Sequence, residues 1–545
     1  RDVMAEQFYD SRTSPARWRA LDPSTARTGL AHSTLYVPDR LLVAGDDRDA
    51  GLAAISEVAS AFGWRLEWDP TFGDRDTPGT YRRAFADLDG EPPLTLSRLV
   101  LISEPTAPVP VVDAWILLEH TRATRMPTPP LDGGSLTLDP GDPLARVSLD
   151  HAVFLSAFHP TGMGANPFYG SNPFYGSNPF YGSNPFYGSN PFYGSNTAGS
   201  PTGSYGAPGA GGRTPVAVLL PSPDRGADPD GGRRPAVGIL DSGCGDHPWL
   251  TQVIRQAPDL VGKSLTPATT STPDPEQVPD QKAPPDGMLD AISGHGTFIA
   301  GVVRQSAPTA EVYSWRVVGS DGVIDESELI SALGKIADLV HANVADPAQG
   351  LRLDVLSLSL GYYHERPEDL VHDGLLRPVL HALTADGVTV VCSAGNDATQ
   401  RPLYPAAFAA HPNPGAPFIS VGARNPNATI ALFSNTGPWV TCYATGASVV
   451  STSPPFEGGL QPLARIPETM DNNKKFQETR ETIDPDSYVG GFALWSGTSF
   501  AAPHVAGRIA AALAADASAK GLAPTTLPAQ AVARAEAAAA KALHL

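Results

Sequence analysis

Trp495-Ser-Gly-Thr-Ser-Phe-Ala-Ala-Pro-His-Val-Ala-Gly507 sets a serine, Ser499, among small residues where a helical apolar pattern of Phe500, Val505, Ile509 and Ala512 begins. A serine at a helix start lies near unpaired backbone N–H groups and the positive end of the helix dipole. That setting can steady the oxyanion formed when a hydroxyl attacks a carbonyl. It equally suits a serine that only caps the helix. The segment by itself leaves both roles open.

Two earlier segments break the tie. Ala236-Val-Gly-Ile-Leu-Asp-Ser-Gly243 reads as a buried strand that ends on a carboxylate, Asp241, and turns at a glycine. Ser293-Gly-His-Gly-Thr-Phe-Ile-Ala-Gly301 puts His295 between glycines at the mouth of another helix. Acid, base and nucleophile then follow in the order Asp, His, Ser. With these three motifs in that order, residues 236–515 resemble a subtilisin-like serine protease of the subtilase family.

The resemblance implies a catalytic triad of Asp241, His295 and Ser499. Val391-Cys-Ser-Ala-Gly-Asn396 resembles the family's oxyanion-hole segment, so the Asn396 amide is expected to meet the developing negative charge. Asp354-Val-Leu-Ser-Leu-Ser-Leu-Gly361 alternates like a strand and ends in the edge that, in subtilases, receives substrate as an added extended strand. Ser359, Leu360, Gly361 and Gly395 are therefore the implied substrate-binding residues. His247, in a family-like His247-Pro-Trp-Leu250, is expected to serve a turn. The implied activity is serine endopeptidase chemistry on peptide or protein substrates through an acyl-enzyme. A catalytically silent peptide-binding scaffold and a peptide-maturation transpeptidase are the alternatives.

No cofactor is expected, and no His/Cys/Asp group has convincing metal-ligand spacing. Many subtilases carry a calcium loop that interrupts the helix after the histidine. Here Gly301-Val-Val-Arg-Gln-Ser-Ala-Pro308 runs straight towards the next strand, which leaves no room for it. The polar stretch from Pro454 to Gly491 reads as a surface loop inserted before the serine. Cys244, close behind Asp241, is expected to be a candidate for thiol reagents without being catalytic.

The expected fold class is α/β, with a doubly wound, mostly parallel sheet. Short apolar runs around Val237, Val312, Val355, Val390, Ile419 and Val440 suit its buried strands. Between two of them, Glu326 to His341 places Leu329, Leu333, Ile336 and Val340 on one helical face. Such a sheet puts its site at the carboxyl ends of the strands, where Asp241, Gly361 and Asn396 fall.

Residues 1–160 read as a small α+β domain, either propeptide-like or a recognition module that can bind its own protease domain. Its strands are expected over Leu35–Val43, Arg65–Trp68, Leu99–Ser103 and Val147–Leu155, with helices over Ala50–Phe62 and Val111–Ala123. Residues 161–235 read as a disordered linker built on Asn166-Pro-Phe-Tyr-Gly-Ser171, which recurs unchanged in five units through Ser195. Self-cleavage, if it occurs, is expected between about Gly162 and Arg234, where exposed flexible chain invites it. Residues 516–545 read as an Ala-rich helix or fraying tail.

A chain of 545 residues with 41% hydrophobic content can bury a full core and more than one domain. The formal net charge of -19 argues against nucleic acid or an anionic membrane as partner. Arg1–Asp10 lacks the apolar core of a signal peptide, so the visible residues suggest a cytoplasmic protein, with secretion open if a signal precedes them.

Overall fold

The computed structural model describes residues 17–74, 77–83, 94–103, 111–125, 138–139, 141–155, 213–255, 274–281, 287, 289–366, 375–457, 465–469, 477–481, 487–517, 520–525 and 527–544. The repeats and the rest of 156–212 lie outside them, as does half of the stretch read as an inserted loop before Ser499.

The first unit follows the order strand, helix, strand, strand, helix, strand. Its elements are β1 (Leu35–Ala44), α1 (Arg48–Ala61), β2 (Trp64–Trp68), β3 (Thr95–Ser103), α2 (Ala114–Arg125) and β4 (Val147–Leu155). The strands lie side by side as β4-β1-β3-β2, all antiparallel. This is the split β-α-β, ferredoxin-like arrangement. Asp47 caps α1 by accepting from Ala50 N, and Ile55 and Ala59 on its inner face are buried with Leu41, Val43 and Trp115.

The second unit is a seven-stranded sheet whose pairings are all parallel. In chain order it supplies β5 (Ala236–Asp241), β6 (Ile254–Arg255), α3 (His295–Ser306) and β7 (Glu311–Arg316). A short strand β8 (Val323–Asp325), helix α4 (Glu326–Ala345), β9 (Val355–Leu358) and β10 (Leu360–Gly361) follow. Then come α5 (Leu376–Ala385), β11 (Thr389–Ser393), β12 (Phe418–Arg424), β13 (Cys442–Thr445), α6 (Thr498–Ala517) and α7 (Pro528–His544).

The sheet order is β6-β7-β5-β9-β11-β12-β13. Its two faces pack separate cores. One holds Leu329, Leu333, Ile336 and Val340 of α4 with Leu380 and Leu383 of α5. The other holds Ile299 and Val303 of α3 with Phe500, Val505 and Ile509 of α6. Fully apolar strands such as Val237–Leu240 and Val390–Cys392 are what a sheet covered on both faces requires. The expected doubly wound α/β architecture is therefore present.

The Ala-rich C-terminal stretch is helical over Pro528–His544, and Ala538, Ala539 and Ala542 are buried in the same core as α3 and α6. Residues 213–235, read as linker, are held against the second unit, in part through a separate three-stranded sheet. Thr214 and Pro215 pair with Leu494 and Ala493. Arg234 is buried and donates to the carbonyls of Arg225, Gly226, Ala227 and Thr309. Pro- and Gly-rich chain of this kind has no periodic pattern, so its anchoring by buried arginines was invisible to a reading of hydrophobic period.

The two units share β4. Val323, Ile324 and Asp325 of β8 pair antiparallel with Phe154, Val153 and Ala152, while Leu360 and Gly361 of β10 pair antiparallel with Leu155 and Phe154. The first sheet is thus extended by two short strands of the second unit.

Candidate active site

β5 lies between β7 and β9, and its carboxyl end delivers Asp241 to the edge of the sheet. Asp241 is fully buried, and its Oδ1 accepts from His295 Nδ1 at 2.7 Å, Ser242 N at 2.8 Å and Ser242 Oγ at 3.0 Å. A carboxylate so held fixes the imidazole with its proton on Nδ1 and leaves Nε2 to act as the base.

His295 is the first residue of α3. The preceding Gly294 has φ +82, a left-handed conformation that favours glycine. At Gly296 an added Cβ would lie 2.0 Å from the Gly243 carbonyl oxygen, so the histidine segment and the turn after Asp241 touch through bare backbone. The His295 ring packs against Trp495 at 5.5 Å and Phe500 at 5.4 Å between centroids. These aromatic walls exclude water and hold the ring plane.

Ser499 is the second residue of α6 and is fully buried. Its Oγ and His295 Nε2 are both buried, and neither has a hydrogen-bond partner. Buried polar atoms left in this state are rare and call for an explanation. In the triad that the resemblance implies, they are the two atoms between which nucleophile and base exchange a proton, a contact often long in free enzymes.

Asn396 follows β11. Its Oδ1 accepts from Thr498 N at 2.8 Å and Thr498 Oγ1 at 2.9 Å. With the oxygen so engaged, the amide nitrogen lies on the side of Gly497, 3.4 Å from where a Cβ on that glycine would stand. The donor end of the amide is therefore next to the turn that carries Ser499. Gly395, with φ +100, donates its N–H to Thr498 Oγ1 at 3.1 Å. Ser359 Oγ donates to the Ser499 carbonyl at 3.0 Å and ties the β9–β10 edge to the nucleophile segment.

Leu360 and Gly361 are the residues paired with β4. His247 occupies a turn, where its Nδ1 accepts from Trp249 N at 3.1 Å, in keeping with the role expected of it.

Two residues that pattern reading did not single out support this arrangement. Asn435 donates to Ala394 O and to Tyr363 Oη, both at 2.9 Å, and accepts from Asp397 N at 3.0 Å and Thr399 N at 3.2 Å. It braces the Asn396 loop from 39 positions away in sequence. Glu276 is 2% exposed and accepts from Ser242 and Thr297, the residues that follow Asp241 and His295 closely. A lone Glu in a Pro/Thr-rich stretch carries no spacing signal for either motif.

The three cysteines are free thiols. Burial, helped by the charge of Glu276, pushes the Cys244 thiol far up, so the expected reactivity of this thiol is opposed by its surroundings.

A second histidine–carboxylate group lies where the two units meet. His151 of β4 contacts Glu326 Oε2 through Nδ1 at 2.6 Å and Glu365 Oε2 through Nε2 at 2.7 Å. Burial pushes its pKa down, but Glu365 and Glu326 outweigh burial and raise it to about 10. His151, His364 and Glu365 are close enough to hold a metal ion. However, both His151 nitrogens are taken by carboxylates, and His364 Nδ1 accepts from Arg366 N at 3.0 Å, so protons already satisfy this group. Nearby, Asp150 caps α4 by accepting from Ser327 N at 3.0 Å and Ser327 Oγ at 2.8 Å. Asp325 accepts from Arg17 and Arg40, each at 2.7 Å.

An acid, base and hydroxyl at the carboxyl edge of a doubly wound parallel sheet, in this chain order, define a subtilisin-like serine endopeptidase. Residues 232–544 match the model of the subtilase family, and the chain belongs to that family. It is 25% identical over 307 residues to the major intracellular serine protease of Bacillus subtilis (strain 168), covering 54% of this chain and 72% of that protein. It is 27% identical over 289 residues to subtilisin BL of Lederbergia lenta, covering 50% of this chain and 74% of that protein. Among solved structures, a cold adapted subtilisin-like serine proteinase matches 59% of this chain and 87% of its own at 20% identity, with a TM-score of 0.33. Among the described residues, no helix is long and apolar enough to cross a membrane.

Proposed function

We propose that the chain hydrolyses peptide bonds through an acyl-enzyme formed on Ser499. His295 Nε2 takes the hydroxyl proton as Ser499 Oγ attacks the carbonyl carbon, then returns it to the leaving amine. Asp241 holds the tautomer and stabilises the imidazolium. Asn396 donates its amide to the tetrahedral oxyanion, and water resolves the ester. The observation that carries this reading is the Asp241–His295 contact at 2.7 Å together with the two buried atoms, His295 Nε2 and Ser499 Oγ, that lack partners. A fluorophosphonate probe tests it. Covalent labelling at Ser499 in wild type and none in Ser499→Ala is expected, and a wild type that stays unlabelled overturns it.

The pairing of β4 with β8 and β10 supports a second statement about the same site: the first unit is a ligand of its own protease edge. β4 lies as an extended antiparallel strand on Leu360 and Gly361, the residues that would receive a substrate. Val153 and Leu155 pack into the core of the second unit, and Phe154 packs on Leu35 and Val323. An alternation of this kind is how a bound strand fills successive pockets. On this register, a self-made cut falls shortly after Leu155, ahead of the stretch from Gly162 to Arg234 that flexibility alone suggests. Intact-mass analysis of wild type and Ser499→Ala chains separates the outcomes. A wild type that stays whole while cleaving a test peptide makes the first unit a permanent regulator of access.

A further inference from the structure

Glu276 is the buried carboxylate at this site that the reaction does not use. Its Oε1 accepts from Ser242 Oγ and from Gly296 N at 3.2 Å, and its Oε2 accepts from Thr297 Oγ1 and from Thr297 N at 3.4 Å. Gly296 and Thr297 are the residues directly after His295, and Ser242 is the residue directly after Asp241. One side chain therefore grips both triad segments at their first following residue. Ser242 Oγ accepts from Gly296 N at 2.8 Å and lies within donating distance of both Asp241 Oδ1, at 3.0 Å, and Glu276.

A hydroxyl has one proton to donate. When Glu276 is ionised it draws the Ser242 proton, and Asp241 keeps only the Ser242 N–H and the His295 Nδ1–H. When Glu276 is protonated it can donate to Ser242 Oγ, which is then free to donate to Asp241. No atom need move far for the exchange.

Resting on the triad reading above, we propose that Glu276 is a positioning residue that sets the basicity of His295 through Ser242 and the first turn of α3. An ionised Glu276 acts in one direction by two routes. Its charge favours the imidazolium, and its claim on the Ser242 proton leaves Asp241 a stronger partner for that imidazolium.

The surroundings put the exchange in a useful range. Burial pushes Glu276 up to about 7, against the lowering effect of the Ser242 and Thr297 hydroxyls, while the charges of Asp241 and Asp274 add to the rise. The other charged or titratable groups facing it come from three further elements. The buried Arg213 guanidinium feels its charge, the Cys244 thiol is pushed up by burial with the charge of Glu276 adding to it, and Arg316 of β7 stands across Gly243 and pairs with Asp274 at 3.9 Å. His295 itself completes the set, through Asp241.

The test is the pH profile of kcat/KM for wild type, Glu276→Gln and Ser242→Ala, each normalised by active-site titration. Glu276→Gln is expected to move the acid limb down by at least about 0.5 pH unit and to lower kcat with KM unchanged, because only the charge route and its proton claim are lost. Ser242→Ala keeps the charge and removes the hydroxyl that turns to Asp241 when Glu276 is protonated, so a smaller shift in the opposite direction is expected. The rate of fluorophosphonate labelling should follow the same limbs. A merely structural role would lower the active fraction and leave the limbs in place. Acid limbs that superimpose on wild type overturn the proposal. If Glu276→Gln does not fold, an unshifted limb in Ser242→Ala does so. A wild type that never labels at Ser499 is a failure of the triad reading, and is distinguishable from either result.

Discussion

Two buried histidines in this molecule face carboxylates at nearly the same distance and do opposite things. His295 contacts Asp241 at 2.7 Å and has its other ring nitrogen buried without a hydrogen-bond partner. His151 contacts Glu365 at 2.7 Å and Glu326 at 2.6 Å, so both its nitrogens are engaged. The second is a lock between two units. The first is the base of the proposed reaction. Burial and a carboxylate do not by themselves set a histidine apart; the unclaimed nitrogen does, and Ser499 Oγ is buried in the same condition.

The comparison can be broken at several points. Removing the hydroxyl that His295 serves, Ser499→Ala, should lower kcat by about 10⁶ while leaving the thermal transition in place, because triad members act as a unit. Near wild-type turnover in that variant would make the unclaimed nitrogen irrelevant.

At the other histidine, His151→Ala leaves two buried carboxylates without their cation. A loss of about 3–5 kcal/mol in the stability of the first unit is expected, seen as faster limited proteolysis of 17–155. The sign with pH follows from the raised pKa. The contribution of His151 is complete below its unfolded value near 6.5 and is lost as pH rises towards about 10. Wild type should therefore lose its stability advantage over His151→Ala across that window. A constant difference from pH 6 to 10 would mean that the lock is not ionic.

Asn396→Ala tests whether the site recognises charge as it develops. A fall of about 10²–10³ in kcat with little change in KM is expected from steady-state kinetics. Smallest is the effect of Glu276→Gln on stability. A carboxyl raised to about 7 favours the folded state most at acid pH and loses that contribution as pH climbs from about 4.5 through 7. Thermal melts of the variant should lack this slope, which wild type should show.

Much of the catalytic body was legible because its signals are local. Ala236–Asp241 is a run that only a strand buried on both faces would tolerate, and it forms β5 with the expected bounds. His295 and Ser499 announce themselves by glycine and small residues at helix starts, and both fall in the first two positions of their helices. Helix α4 runs to Ala345, past the His341 expected, because its last turns continue on Val344, whose burial no turn signal interrupts.

What stayed hidden is held by long-range contacts. Asn435 and Glu276 sit far in sequence from the loops they brace. The anchoring of Arg213, whose guanidinium lies over the Trp495 ring at 4.6 Å, cannot be read from Pro- and Gly-rich neighbours. The first unit was visible as alternating strands and helices, but periodicity says which face of β4 is apolar and not that its edge would be extended by two short strands of the second unit.

That shared strand has a consequence in mass action. While the chain between Leu155 and Arg213 is intact, the first unit faces its own protease edge at an effective concentration set by the tether, of the order of millimolar for short flexible linkers and lower as length grows. Once that connection is cut, the same contacts become a bimolecular equilibrium. Occupancy of the edge then falls on dilution, and the specific activity of a severed sample should depend on its concentration where that of an intact one does not.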